Sequence, residues 1–378
     1  MSKKRTLMRT AAFIAAVTLT VGVAAPMSGA LSAPTPAYAA DYTEVKQGDL
    51  TIWKYSDHAE IFKCDMSATS AEIPTSVDGV PVTAIQMYAF QLTQITDITI
   101  PDSIKKIGNY AFSMNKELKS VTIPASVEKI GIRAFEQCPK LGTVKLPDKV
   151  TEVGAKVFSE TPWLEAQRNS DSLVIVNGML IDAEGAKGDI VVPSDVKYIS
   201  ASAFQRNSEL TSVVVPAGVT KLNDNTFALC DNLKSVELKG VESIDCMAFY
   251  DDPKLTELKL SGKLKSIDDM AFMDTTCAST ITFYASKDTW DKVQKPADDA
   301  FLKNATYIFD ENHIDEPEDI VGDINKDGAF NVSDLVLFQK WLLGDPAAEL
   351  KDANAADFDK DKRLDMFDLV LMRKELVK

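Results

Sequence analysis

Oxygen-bearing side chains recur at alternate positions of a short segment near the end of the sequence. Six residues of this segment occupy positions 1, 3, 5, 6, 9 and 12 of a twelve-residue loop: Asp323, Asn325, Asp327, Gly328, Asn331 and Asp334. Calcium takes about six to eight oxygen ligands, and the carbonyl of Ala329 at position 7 adds one more. Gly328 suits the tight turn that such a loop needs. The pattern predicts a calcium-binding loop.

A second segment repeats this arrangement 34 residues later. Its ligands are five carboxylates and the backbone carbonyl of an arginine: Asp357, Asp359, Asp361, Asp365, Asp368 and Arg363. Matching apolar stretches at 335–337 and 369–371 predict a helix after each loop. A merely solvated acidic surface, the alternative interpretation, has no need of ligand spacing.

The second loop departs from the pattern at one position. Lys362 stands where a glycine is expected. A non-glycine residue in the left-handed conformation costs on the order of 1 kcal/mol. The sequence therefore predicts two calcium sites, of which the second binds more weakly or differently.

The two loops together resemble type I dockerins, modules by which cellulosome components bind cohesin domains of a scaffold protein. The resemblance covers 321–378, and both loops end in Asp, as in that family. It implies structural calcium and a cohesin partner. It also implies partner-selecting residues at loop positions 10 and 11 and on the following helices: Val332, Ser333, Lys340, Met366, Phe367 and Lys374. The halves differ, and Met366-Phe367 is the more hydrophobic face. A plain EF-hand pair acting as a calcium sensor is the alternative.

Phenylalanines recur through the middle of the chain at intervals of 22 or 23 residues, with one gap of two periods. They are Phe90, Phe112, Phe135, Phe158, Phe204, Phe227, Phe249 and Phe272. Alternating apolar residues before each one predict a short buried strand, and a following proline ends it. One such unit cannot bury its apolar face alone, so the units must stack. The sequence predicts a β-rich solenoid of about nine coils.

This repeat resembles the leucine-rich repeats of bacterial surface antigens often called BspA-like, over about 72–283, and the predicted solenoid covers 72–280. The resemblance implies a surface or secreted binding protein and leaves the ligand open. We expect a hairpin cap over 40–71, a second cap over 281–309 and an acidic linker over 310–320, followed by the small all-α dockerin domain. One coil between Trp163 and Val192 is irregular and includes a hairpin at Asn177-Gly178. It is either an insertion on a binding face or a tolerated loop.

Outward-facing positions of the predicted strands carry no aromatic ring. They are Thr99, Thr122, Lys145, Val191, Val214, Glu237 and Lys259. Sugar sites commonly use stacked aromatic side chains, so this row favours a protein or cell-surface ligand.

The first 39 residues have the features of a secretion signal. Basic residues precede an apolar stretch at 11–25, and Ala37-Tyr38-Ala39 forms a cleavage motif. No second apolar segment follows, so we expect an extracellular protein without membrane insertion, held at the cell surface through a scaffold. The net charge of −15 disfavours nucleic acid as a partner. Two histidines exclude most histidine-based catalytic or zinc sites, and five cysteines are too few for a disulfide framework.

These observations favour a noncatalytic component of an extracellular cellulosome-like complex. A glycoside hydrolase-type component is one alternative, because dockerins usually accompany enzymes and a glycosidase needs only two suitably spaced carboxylates. No such pair stands out from the many acidic residues. A free-standing secreted adhesin is the other alternative. A role in polysaccharide catabolism is implied by the dockerin resemblance alone.

Overall fold

A computed structural model describes residues 42–147, 150–170, 172–313, 321–326, 330–359 and 363–376. The predicted secretion signal lies outside these residues, as do the predicted calcium ligands Asp327, Ala329 and Asp361. Within the described ranges, no helix has the length and apolar character needed to cross a membrane.

An antiparallel sheet begins the solenoid. Its strands, numbered in chain order, are β1 (Thr43–Gln47), β2 (Leu50–Lys54) and β3 (Ala59–Cys64). Alternation along β2 and β3 puts Leu50, Ile52 and Ile61 in the core. Strand β3 then pairs in parallel with β5 (Val80–Ile85), which also pairs with the short β4 (Ser76–Val77). The hairpin thus gives the first coil a strand to pair with.

Two rows of short parallel strands run along the solenoid. The first row contains β6 (Asp97–Thr99), β8 (Ser120–Thr122), β10 (Thr143–Lys145), β14 (Gly188–Val191), β16 (Leu210–Val215), β18 (Ser235–Leu238), β20 (Glu257–Ser261) and β22 (Thr280–Tyr284). The second row contains β7 (Lys106–Ile107), β9 (Lys129–Ile130), β11 (Glu152–Val153), β15 (Tyr198–Ile199), β17 (Lys221–Leu222), β19 (Ser243–Ile244) and β21 (Ser266–Ile267). A regular coil contributes one strand to each row. A proline follows the first-row strand in five coils, at Pro101, Pro124, Pro147, Pro193 and Pro216.

The repeat phenylalanines stack inside the solenoid. Ring centroids of Phe112 and Phe135 are 5.1 Å apart, and those of Phe135 and Phe158 are 5.5 Å apart. A second stack runs from Phe204 to Phe272 and continues onto Phe301 at 4.5 Å. All eight repeat phenylalanines are fully buried. The predicted structural role of these rings is evident in the packing.

The third side of each coil is a turn segment, defined as the five residues centred on the repeat phenylalanine. Its first and last residues commonly have φ between 50° and 65°: Tyr88, Leu92, Tyr110, Met114, Arg133, Gln137, Lys156, Glu160, Ser202, Arg206, Asn225, Leu229, Met247 and Asp251. Few of these are residue types that favour a left-handed backbone. Hydrogen bonds between coils hold them, since the N–H groups of Arg133, Phe135 and Gln137 donate to the next coil, each at 2.9 Å.

One coil breaks this regularity. Helix α1 (Pro162–Ser170) and the antiparallel pair β12 (Val174–Val176) and β13 (Met179–Asp182) follow Phe158. Leu180 pairs with Ile199, and Ile190 pairs with Val213. The irregular coil covers the distance from Leu180 to Ile190 in a step of ten residues. The next coil covers the equivalent distance, from Ile199 to Val213, in a step of fourteen. The irregular coil therefore lacks a full turn segment, and the phenylalanine stack is interrupted there.

The far end of the solenoid is covered by two short helices and a last strand. These are α2 (Lys287–Asp291), α3 (Ala300–Asn304) and β23 (Thr306–Phe309), which pairs in parallel with β22. Trp290 and Phe301 are buried against the last coil. Ser286 and Asp299 cap the two helices by accepting main-chain N–H groups.

The fold class is confirmed. The described residues form a β-solenoid of about 11 turns, close to the nine coils expected, and a small helical region follows it. This region contains α4 (Val332–Leu342), a 3-10 turn (Asn354–Ala356) and α5 (Met366–Leu376). Its own small core is built from Ile324, Phe338, Ala356, Leu369 and Met372.

A carboxyl group lies inside the solenoid core. Asp252 is 0% exposed and occupies the position three residues after Phe249, which is Asn115 or Asn207 in other coils. Its Oδ1 accepts the Cys230 N–H at 2.8 Å, while its Oδ2 has no hydrogen-bond partner in the described part of the chain. Burial raises the pKa of Asp252 to about 8.

Asp252→Asn is expected to stabilise the solenoid at neutral and alkaline pH. A carboxyl whose pKa rises from 3.8 to about 8 on folding contributes its full stability below pH 3.8. That contribution is lost as the pH rises toward about 8. The free energy of unfolding, measured in urea, should therefore increase by about 2–5 kcal/mol near pH 8 and little near pH 4. Asp102→Asn, at an exposed position that does not act on Asp252, is the matched control, and an equal gain at both pH values would contradict this account.

Candidate calcium and docking site

The first loop leads directly into helix α4. Asn331 caps this helix, and its side-chain oxygen accepts the Ser333 N–H at 2.8 Å. Asp334, at the last loop position, is completely buried. Its two oxygens accept the N–H groups of Asn325 at 3.1 Å and Asn331 at 3.0 Å. Asp334 thus closes the loop onto the start of the helix.

The second loop has the same internal bonds. The Asp365 side chain accepts the Phe367 N–H at 2.7 Å, as Asn331 does in the first loop. Asp368 is completely buried and accepts the N–H groups of Asp359 at 3.4 Å and Asp365 at 2.9 Å. It also accepts the Phe358 N–H at 2.8 Å. The sequence repeat is therefore a structural repeat.

The second loop gathers carboxylates closely enough to hold a cation. One oxygen from each of Asp357, Asp359 and Asp368 lies within 4.8 Å of the others. Carboxylates this close repel one another unless a positive charge lies between them, and calcium prefers such hard oxygen donors. The donor set therefore fits calcium. When bound, the ion would neutralise these charges and tie the loop to α5.

The remaining predicted ligands are placed as follows. Asp323 is 3% exposed, and Arg363 is exposed. Asp327, Ala329 and Asp361 lie outside the described residues, so the ligand sets assigned to both loops stay predictions.

All six residues expected to contact a partner are exposed on the small domain. Val332 is 65% exposed on α4, whereas Met366 and Phe367 are 60% and 72% exposed on α5. The sequence did not identify Val336 and Val370, which are also exposed and extend each surface by one helical turn. Val336 and Val370 could have been identified from the sequence, because each lies four residues after Val332 or Met366 and so on the same face of its helix. The exposed apolar residues Met366, Phe367 and Val370 cluster at the start of α5, whereas the start of α4 carries Val332 and Val336 and its end carries Trp341.

The solenoid has an exposed apolar surface that the sequence did not identify. Met87, Tyr88, Leu92, Met114 and Ile132 are each 39–50% exposed on or beside the first turn segments. Equivalent positions in neighbouring coils are adjacent, and the Tyr88 and Tyr110 rings stack at 5.2 Å. We call these five residues the apolar patch. The sequence feature that could have indicated the apolar patch is the presence of apolar residues two or three positions from the repeat phenylalanines.

The predicted row on the first strands lies on the surface. Thr99, Thr122, Lys145 and Val191 are exposed, and the remaining three positions are partly exposed. All five cysteines are free, and Cys138 and Cys230 are completely buried.

Two family models match the chain. Residues 58–177 and 187–294, more than half of the chain, match the BspA type leucine rich repeat region in six copies. Residues 321–377 match the dockerin type I domain. No curated protein is significantly similar to the chain.

Several solved leucine-rich-repeat structures are similar to the chain. A leucine rich cell surface protein from Faecalibacterium prausnitzii is 20% identical, with 67% of this chain and 97% of that chain covered and a TM-score of 0.31. The leucine rich repeat protein of T. pallidum is 25% identical, with 53% of this chain and 80% of that chain covered and a TM-score of 0.31. A leucine-rich repeat protein from Bacteroides capillosus is 30% identical, covering 32% and 93%, with a TM-score of 0.30.

Proposed function

The chain belongs to the BspA-type leucine-rich-repeat family, and from this and its type I dockerin domain we propose that it is a noncatalytic component of an extracellular cellulosome-like complex. The dockerin domain would bind a cohesin domain of a scaffold protein, while the solenoid contacts a protein or cell-surface ligand. Residues 1–39 would direct its export. The observation that carries this proposal is the pair of equivalent loops, each closed by a buried aspartate.

Calcium has a structural role in this proposal. Type I dockerin domains bind calcium, and the close carboxylates of the second loop support a site in this chain. Each loop fixes the start of the helix that carries the docking residues. We propose two sites with the ligands named above. The ions would hold α4 and α5 in place for docking.

The docking surface is proposed to be asymmetric. Exposed aromatic and methionine side chains are enriched at protein interfaces, and a few such residues carry most of the binding energy. Phe367 and Met366 satisfy this description on α5, whereas α4 offers Val332 and Ser333 at the same positions. Lys340 and Lys374 would add charged contacts at the edge.

Binding of the full chain to a panel of type I cohesins tests the proposal. The double variant Met366→Ala/Phe367→Ala should weaken cohesin binding at least about tenfold in calorimetry, since it removes the larger apolar anchor. Val332→Ala, at the equivalent position of α4, is the matched control and should change affinity by less than about threefold. A larger loss from the control than from the double variant would contradict the proposed asymmetry.

The solenoid's role as a binding surface is supported by the apolar patch. Contiguous apolar patches on a protein surface commonly mark interaction sites. The patch lies on stacked coils and combines Met side chains, which adapt to partner surfaces, with the ring of Tyr88. A protein ligand fits this surface better than the strand row, which carries small polar or charged residues at most positions.

A further inference from the structure

A cavity of about 320 Å³ opens where the irregular coil lacks its turn segment. Its walls are the turn segments 156–160 and 202–206 on either side and helix α1 beside them. The cavity arises because the connection between the two strand rows is four residues shorter in this coil than in the next one. A cavity of this volume is at the lower end of the range for small-molecule sites.

Main-chain donors of one wall face the place where the irregular coil lacks its turn segment. In the preceding coil, Arg133, Phe135 and Gln137 each donate their N–H to the next turn segment. The equivalent N–H groups of Lys156, Phe158 and Glu160 have no acceptor in the part of the chain that the structure describes. Main-chain N–H groups that lack a protein acceptor are satisfied by water or by a ligand. Three of them in one row form a ready site for oxyanions.

Two cations line the same cavity. No carboxylate oxygen of a described residue lies within 4.0 Å of the Lys156 ammonium or the Arg206 guanidinium. Arg168, the third cation of the cavity, is held by Asp182 at 2.7 Å, and it also contacts Glu184. Burial and the nearby Arg133 and Arg206 lower the pKa of Lys156. The lining as a whole holds four carboxylates beside these three cations, but Lys156 and Arg206 form no ion pair with a described residue and can therefore contact an anionic ligand.

Hydroxyl-binding groups complete the cavity. Ser159, Ser202 and Gln205 line it together with the carboxylates of Glu160 and Glu184. Serine and glutamine both donate and accept hydrogen bonds, and carboxylates accept them from sugar hydroxyls. A ligand that satisfies both sets of groups has one anionic oxygen pair and several hydroxyls.

We propose that this cavity binds a carboxylated sugar, a uronic acid unit. The carboxylate would lie between Lys156, Arg206 and the free N–H row, with the hydroxyls toward Ser202, Gln205 and the acidic side chains. The site is separate from the apolar patch and the dockerin domain, and it does not depend on cohesin docking. It gives the irregular coil a binding role, which the sequence left open.

Calorimetric titration of galacturonate into the full secreted chain tests the site. The buffer contains a chelator, because carboxylated sugars bind calcium themselves, and cohesin docking is absent under this condition. We expect galacturonate to bind at least about tenfold more tightly than galactose, because charge-assisted hydrogen bonds are roughly twice as strong as neutral ones. Lys156→Gln and Arg206→Gln should each weaken galacturonate binding about tenfold.

Lys263→Gln removes the same charge from an exposed position outside the cavity and should leave the affinity unchanged. Unchanged thermal unfolding of all three variants would show that the losses are local. Three results would overturn the proposal: no galacturonate binding, binding that both cavity variants retain, or inorganic phosphate binding more tightly than galacturonate. The last would show that the cavity recognises the anion without the sugar.

Discussion

Asp368→Ala is expected to abolish calcium binding in the second loop and to weaken cohesin binding by about a hundredfold or more. Asp368 accepts three main-chain N–H groups and lies within 4.8 Å of two other carboxylates. Removing it therefore takes away a calcium ligand and the acceptor of three main-chain N–H groups that hold the loop against the start of α5. Calcium titration by calorimetry, followed by cohesin binding at saturating calcium, measures both effects.

Glu349→Ala is the matched control for this variant. It removes an acidic side chain from the same domain, at an exposed position outside both loops. We expect calcium and cohesin affinity to stay within about twofold of the parent chain, as for a typical surface substitution. Full cohesin affinity in Asp368→Ala would show that the second loop has no part in docking.

Phe135→Ala is expected to reduce the free energy of unfolding of the solenoid by about 3–5 kcal/mol. The ring is 0% exposed and stacks between Phe112 and Phe158. Its loss leaves a cavity that the neighbouring coils cannot fill, because hydrogen bonds between coils fix their spacing. Urea unfolding followed by circular dichroism measures the change. Phe367→Ala, which truncates a ring that is 72% exposed, should cost less than about 0.5 kcal/mol.

A cost below about 1 kcal/mol for Phe135→Ala would contradict the stacked-core account.

The same variant should also change the cooperativity of solenoid unfolding. Each coil of a solenoid contacts mainly its neighbours, so a weakened coil can uncouple the two sides. The variant should therefore also broaden the unfolding transition.

Much of the architecture could be predicted because the repeat is read directly from spacing. Eight phenylalanines at a fixed period can all be buried only if the coils stack in register, as they do. The expected number of about nine coils is close to the about 11 turns of the structure.

Two features could not be predicted from residue types. The left-handed residues of the turn segments include Tyr88, Leu92 and Arg133, whose side chains give no signal for a positive φ. Hydrogen bonds to the next coil impose that conformation. The cavity could not be predicted either, because the shortened turn segment becomes visible only when the strands are paired. The pairs that show it are Leu180 with Ile199 and Ile190 with Val213.

The docking loops were predictable in position and only in part in geometry. Ligand spacing located both loops, and the buried Asp334 and Asp368 lie at their last positions. The exposed Val336 and Val370 were missed because helix surfaces depend on which side packs against the small core.

Calorimetry of the full chain with a type I cohesin, in calcium and again in excess chelator, tests the central claim most directly. We predict a one-to-one complex in calcium that dissociates when calcium is removed. Binding that persists in chelator would contradict the structural role of calcium. Calcium uptake without binding to any cohesin of the panel would contradict the docking function and favour a secreted adhesin.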